Sequence, residues 1–251
     1  MDPATNNDAP GLRWGELPES LRGPELRWDD LPESVRVPFE TLSNDVTRLH
    51  HRWKLWKQLY GSGQRRVDLM NEVADSFFYE LHFIMLDNVL LNIARLLDPA
   101  TSGKFSNMSL RTLERILPAA GLPELVPALK QRLDALEELA DPVLAHRDKR
   151  IGHSDAAYHP HAGAEKLPDL NPNLIESVLN GIAAAMNEVG VPLDHGTTGY
   201  EDVSAEVDSE TLLYALRKSA DWGDFFPGFK GIERLERARY GDIWKSPNTS
   251  Q

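Results

Sequence analysis

One long helical stretch, from Arg65 to Asp98, constrains the fold of this 251-residue chain more than any other feature. It is closed by Pro99, and its second half, residues 81–91, is apolar on most faces, which predicts a central buried helix. Apolar residues at helical spacing predict further helices over residues 40–60, 124–140, 174–189 and 211–220, and residues 109–112 open a short helix that ends before Pro118. Strand-like alternation is not convincing anywhere, so the predicted class is all-α.

Three polar side chains interrupt the apolar sequence of this long helix. Asn88, Asn92 and Arg95 fall at helical spacing and form one stripe. We expect the stripe to be a buried, satisfied hydrogen-bond network, and the alternative is that it forms part of a site wall.

The charge distribution limits the kind of partner that the chain can take. Its 27 basic and 39 acidic residues give a net charge of −12, which argues against a broad nucleic-acid-binding surface. Residues 1–36 and 193–213 hold most of the excess acid, so a small basic site elsewhere remains compatible with this charge.

The absence of cysteine excludes disulfides and thiolate metal sites. With neither a signal segment nor a run of about eighteen apolar residues, we expect a cytoplasmic protein without a membrane partner.

An eleven-residue motif occurs twice near the N-terminus. Residues 12–22 and 26–36 share Leu-Arg-Trp, then Leu-Pro-Glu-Ser, and each ends in arginine. Trp14 and Trp28 are large apolar anchors in otherwise polar sequence, which is typical of a peptide that docks into a groove. One interpretation is that the repeat binds a partner. The other is that it packs on its own domain.

Composition divides the chain into five segments. A helical bundle is expected between a polar N-terminal tail and an acidic linker, followed by a short helical and aromatic extension and a disordered tail. The predicted boundaries are 1–37 for the N-terminal tail, 38–192 for the bundle, 193–210 for the linker, 211–246 for the extension and 247–251 for the disordered tail.

The segment from Ala145 to Asp155 contains the side chains that are the candidates for catalysis or ligand binding. It packs three cations, two histidines and two carboxylates into eleven positions. Asp141-Pro142 predicts a helix start, which would place the segment about a turn and a half into a new helix. On such a helix His146, Arg150 and His153 share one face.

Arg147 does not share that face, because six positions separate it from His153, about 240° around the cylinder. The two side chains could therefore act together only if Gly152 and the helix end introduce a kink. Alternatively, a two-fold dimer could bring the arginine of one subunit to the histidine of the other.

Three functions compete for this segment. The first is a solvated basic helix end. The second is a metal site, for which the candidate ligands are His146, His153, His159, His161 and Asp155; the neighbouring cations and the lack of a His-x-x-x-His pair argue against it. The third is a phosphate site in which His153 transfers protons. We expect no metal and no cofactor.

The segment Arg147-Asp148-Lys149-Arg150-Ile151-Gly152-His153 resembles the signature of HEPN domains: an arginine, a polar residue and a histidine four to six residues after the arginine. The run Arg95 to Pro99 (Arg-Leu-Leu-Asp-Pro), the run Asn107 to Leu110 (Asn-x-Ser-Leu) and the ending His-x-Asp at Asp155 are similar to the AbiU-type branch, which is linked to phage abortive infection. The resemblance covers roughly residues 45–190.

This resemblance implies a HEPN-like antiparallel helical bundle that dimerises and cleaves RNA without a metal. It also implies an antitoxin or another defence protein as the candidate partner of the Trp14 and Trp28 repeat. Arg147 would bind the scissile phosphate, His153 would activate the ribose 2′-hydroxyl or protonate the leaving oxygen, and Asp148 would fix the arginine. The product would end in a 2′,3′-cyclic phosphate, and DNA would not be a substrate. Arg150, Lys149 and His146 are candidate substrate-binding residues.

The alternative function is a HEPN-like module that binds nucleotide, nucleic acid or protein without cleaving it. The net charge of −12 favours this alternative, whereas the Arg147 and His153 pair favours the enzyme. One position departs from many toxin-type relatives, which carry a tyrosine two residues after the histidine. Asp155 stands there in this chain, and the nearest tyrosine is Tyr158, so control by modification of that tyrosine is not expected.

Overall fold

The computed structural model describes residues 28–152, 166–193, 195–204 and 208–225. These residues are helical apart from loops and a two-stranded hairpin, so the predicted all-α class is confirmed. The helices are α1 Glu33–Trp56, α2 Gln64–Leu97, α3 Leu110–Ile116, α4 Val126–His146, α5 Pro172–Gly190 and α6 Asp208–Phe225. The strands β1 Thr101–Ser102 and β2 Phe105–Ser106 pair antiparallel. Wider π-helical turns, Lys57–Gly61 and Arg147–Ile151, follow α1 and α4.

The chain divides into two compact units. The first contains the start of α1 to Val46, Ala94–Val143 and Asp169–Tyr200. Its core includes the apolar stripe of α5, which is spaced by three and four residues and faces inward. Gly181 allows close packing on α4, because a β-carbon there would lie 2.6 Å from Leu136 Cδ1. The buried residues of the α5 stripe include Ile175, Val178, Leu179, Ile182, Met186 and Val189.

The second unit contains Thr47–Ile93, Leu144–Pro168 and the chain from Glu201. Here the end of α1 and the first part of α2 form a helical hairpin, in which the Tyr60 hydroxyl donates to the Phe78 carbonyl at 2.9 Å. Helix α6 packs on the same core, and Arg66 of α2 pairs with its Glu210 at 2.7 Å. The buried members of this core are Leu59, Met70, Phe78 and Leu213.

Helix α2 is only partly buried along its second half: Val89 and Leu90 are buried, but one apolar side is exposed, so the prediction of a helix buried on most faces does not hold. Phe77 and Ile84 are each 62% exposed, and Leu91 is 40% exposed. The apolar sequence was interpreted as a core pattern, but within the second unit only one side of this helix is covered. Such a contiguous apolar surface is typical of a helix that meets a partner.

The polar stripe on α2 is also not a buried network. Asn88 and Arg95 are exposed, and the Asn92 side-chain amide donates to the Asn88 carbonyl of its own helix at 2.7 Å. Arg95 instead forms an ion pair with Asp45 at 2.8 Å. The stripe therefore lies at the helix surface, where it makes one contact within α2 and one with α1.

The expected helix start at Asp141-Pro142 does not occur. Helix α4 runs without a break from Val126 to His146, with Pro142 inside it. Proline in a helix interior removes one backbone hydrogen bond and usually kinks the helix. Here the flanking Ala140 and Val143 are fully buried, and their packing holds the turn in helical form.

Helix α1 begins at Glu33, earlier than the predicted start at residue 40, and so includes the end of the second repeat. Leu31 and Val35 of that repeat are buried in the first unit. Between residues 193 and 210, the described residue Tyr200 is also buried, with its hydroxyl 2.9 Å from Ser43 Oγ.

Among the described helices, α2 alone is long and apolar enough to cross a membrane by length and composition. Core helices of proteins outside membranes meet the same two criteria.

Candidate functional site

The basic segment lies at the C-terminal end of α4, where the helix widens into the turn Arg147–Ile151. The Gly152 N–H donates to the Arg147 carbonyl at 2.6 Å across this turn. The straight, newly started helix expected for the segment is therefore wrong. A helix C-terminus carries a partial negative charge, which favours the cations of this turn.

Arg147 is held by the residue that follows it. Its Nε atom lies 2.5 Å from Asp148 Oδ1, and 29% of the arginine side chain remains exposed. Asp148 itself is exposed. The ion pair leaves part of the arginine side chain exposed at the helix end.

Arg150 attaches the turn to α2. Its two terminal nitrogens donate to the two carboxylate oxygens of Asp87, at 2.6 and 3.2 Å. A bidentate pair of this kind fixes orientation as well as distance. The guanidinium that was predicted to bind substrate is therefore already engaged by a carboxylate.

His146 is the last residue of α4, and its Nε2 atom lies 2.9 Å from the Pro168 carbonyl. Because a carbonyl only accepts, Nε2 carries the proton in this contact. Residues 146 and 168 stand on either side of the segment that contains His153. Lys149, the remaining predicted substrate-binding residue, is half-buried in the same turn.

His153, the predicted proton-transfer residue, lies outside the described residues, as do Asp155, Tyr158, His159 and His161. Within the residues that the structure describes, histidine and carboxylate side chains do not cluster in a group of three that could hold a metal. Of the candidate metal ligands, only His146 is among those residues.

Two α2 residues near the site were missed by sequence reasoning. Asp87 was counted as part of an apolar run, although a lone carboxylate in such a run is itself a signal for an ion-pair partner. His82 packs edge-on against Tyr60, with ring centroids 4.9 Å apart. Burial lowers the pKa of His82, and the negative charge of Asp87 partly offsets this shift.

The two short runs before the basic segment meet in the first unit. The Asn107 side-chain amide donates to the Pro99 carbonyl at 2.8 Å, and the Asn107 N–H donates to the Ala100 carbonyl at 2.9 Å. The Thr112 hydroxyl donates to the Asn107 carbonyl at 2.6 Å, which connects the hairpin to α3. These residues therefore join the end of α2 to the start of α3.

The all-α fold, and the sequence of an arginine, a polar residue and a downstream histidine, are the features that the resemblance to HEPN domains predicted. The family model of AbiU2, a HEPN family, matches residues 35–212, and the chain belongs to this family. The match is wider than the 45–190 covered by the sequence resemblance. No curated protein and no solved structure matches the chain. The family indicates a function related to abortive infection and defence.

Proposed function

We propose that this protein is a metal-independent endoribonuclease of antiphage defence, or a toxin of the same chemistry. The observation that carries the proposal is the placement of Arg147 at the surface of a helix end, oriented by Asp148 at 2.5 Å, six positions before His153. A partly exposed guanidinium can hold a phosphate and stabilise its developing charge.

In this mechanism His153 transfers the proton. An imidazole has an ordinary pKa near neutrality, so it can accept the 2′-hydroxyl proton or donate one to the leaving oxygen. Attack of the 2′-oxygen on phosphorus forms the cyclic phosphate as the 5′-oxygen leaves with a proton. Arg150, Lys149 and His146 would lie around the bound strand.

A second copy of the chain would complete the site. Phe77, Ile84 and Leu91 fall at seven-residue spacing on the exposed side of α2, a spacing typical of helices that pack together. Asp87, which holds Arg150, lies between Ile84 and Leu91 on the same side. A two-fold contact along α2 would therefore bring the two basic turns towards each other.

The alternative function is binding without cleavage. It is favoured by the carboxylates that already contact both arginines, Asp148 at Arg147 and Asp87 at Arg150. A phosphate would have to compete with these contacts. A module of this kind would retain RNA or nucleotide without changing it.

The test is cleavage of RNA by purified protein in EDTA, with Arg147→Ala and His153→Ala as site variants. Arg95→Ala is the matched control, because Arg95 is exposed and paired with Asp45 outside this site. We expect wild type and the control to leave 2′,3′-cyclic phosphate ends and the two site variants to leave RNA intact. Equally intact RNA in all four samples, together with retained binding, would establish the alternative function.

A further inference from the structure

The second copy of the N-terminal repeat is seated on the first unit. Trp28 begins a short 3₁₀ turn, and its ring lies edge-on against Phe39 and His195, with centroids 5.0 and 4.4 Å away. Leu31 and Val35 are 3% and 0% exposed. Trp28, Leu31 and Val35 of the second copy thus pack on the first unit.

The surface that receives Trp28 belongs to other parts of the chain. Phe39 lies on α1 beyond the repeat, and His195 follows α5; their rings are 5.1 Å apart. Gly190 leaves room for Phe39, since a β-carbon there would lie 3.1 Å from Phe39 Cζ. The His195 N–H donates to the Gly190 carbonyl at 3.0 Å. We call the surface formed by Phe39, Gly190 and His195 the tryptophan groove.

The first copy of the repeat carries the same anchors. Trp14, Leu17 and Leu21 stand fourteen positions before Trp28, Leu31 and Val35, and the sequence Leu-Pro-Glu-Ser is shared. The first copy therefore offers similar apolar side chains to the surface that binds the second copy. The clearest difference on the apolar face is leucine in place of valine.

We propose that residues 12–22 bind the tryptophan groove of their own chain, in exchange with residues 26–36. The fourteen intervening residues, 23–36, would then form a loop before Val37. The free energy of closing a loop rises only with the logarithm of its length. A tethered copy is also present at high effective concentration, which favours the same chain over a second one.

The exchange would switch the chain between two conformations. The groove holds one copy at a time, so one copy of the motif stays outside the groove in either state. Seating the first copy removes Leu31 and Val35 from their buried positions and shortens α1 at its start.

A double-mutant cycle in the full chain tests this exchange, with Trp14→Ala, Trp28→Ala and the double variant. The reporters are the urea midpoint and hydrogen exchange of the His195 amide, whose bond to Gly190 closes the groove. We expect Trp14→Ala alone to have little effect and Trp28→Ala alone to be partly rescued by the first copy. The double variant should exchange this amide about tenfold faster than Trp28→Ala alone.

Tyr200→Phe is the control, because it removes a hydroxyl contact to Ser43 in the same unit but outside the groove. Its effect should be the same with and without Trp14. Equal effects of Trp28→Ala in both backgrounds would overturn the proposal. Coupling that disappears on dilution would also overturn it, because the first copy would then come from a second chain.

Discussion

Arg150 and Asp87 form a two-pronged ion pair that joins the basic turn to α2, with nitrogen–oxygen distances of 2.6 and 3.2 Å. The pair fixes the turn that begins at Arg147, although the two residues lie sixty-three positions apart in the sequence. Its members are 37% and 29% exposed, so solvent screens the attraction. The pair therefore contributes mainly by fixing the orientation of the turn, and little through its electrostatic attraction.

Exchanging the charges of Arg150 and Asp87 tests whether Arg150 only orients the basic turn or also binds substrate. We expect Arg150→Asp to lower the free energy of unfolding by no more than about 1 kcal/mol, because the pair is partly exposed. The double variant Arg150→Asp, Asp87→Arg should restore that stability in urea titrations. If Arg150 also contacts phosphate, the double variant remains impaired in RNA cleavage. Full recovery of cleavage would show that Arg150 only holds the turn.

The exposed side of α2 should determine the association state. We expect Phe77→Ser together with Ile84→Ser to convert a dimer into a monomer in sedimentation velocity, because both side chains are 62% exposed on one side of the helix. Substituting surface residues should leave the circular dichroism spectrum unchanged. Tyr214→Ser is the control, since Tyr214 is similarly exposed on α6. A wild-type chain that sediments as a monomer at all concentrations would contradict the proposed contact.

The hydrogen bond from His146 to the Pro168 carbonyl should restrain the segment between them. We expect His146→Ala to lower the free energy of unfolding by about 1 kcal/mol, the usual contribution of one hydrogen bond. Cleavage by a protease between residues 153 and 165 should become faster. Asn92→Ala, which removes a hydrogen bond within α2, serves as the control. Unchanged proteolysis in His146→Ala would show that the contact does not restrain this segment.

His82 should make stability depend on pH. Burial among Trp56, Tyr60 and Phe83 lowers its pKa below the ordinary 6.5, with Asp87 as the facing charge. Because the unfolded chain then binds the proton more readily, the stabilisation is complete above pH 6.5 and is lost as pH falls from there through the folded pKa.

The measurement is an NMR titration of the His82 ring, with urea midpoints at several pH values for wild type and His82→Phe. The phenylalanine variant should lose less stability than wild type as pH falls below 6.5. A His82 that titrates above that value would contradict the lowered pKa.

The helix pattern of this chain was predictable because its apolar residues repeat at helical spacing. The long α2 and the core helix α5 were found within a residue or two of their ends. Burial was less predictable, since an apolar surface that meets a partner has the same sequence as one that meets the core. Ile84 was therefore assigned to the wrong environment.

Pro142 shows a second limit of sequence reasoning. An Asp-Pro pair usually marks a helix start, but here packing of the buried neighbours Ala140 and Val143 outweighs that preference. The candidate site was found as a segment, whereas its partners Asp87 and Pro168 were not. Both contacts depend on the tertiary fold, which brings residues from distant positions to the end of α4.

The bond between His146 and Pro168 has a consequence for how this family can vary. The bond holds residue 168 beside the end of α4, so that a change in chain length between the two residues need not shift α4 or α5. Insertions, deletions and rapid substitution among relatives should therefore concentrate after His153 and before residue 166. The same interval is the natural place to insert a fluorescent label or an affinity tag while Arg147 keeps its position.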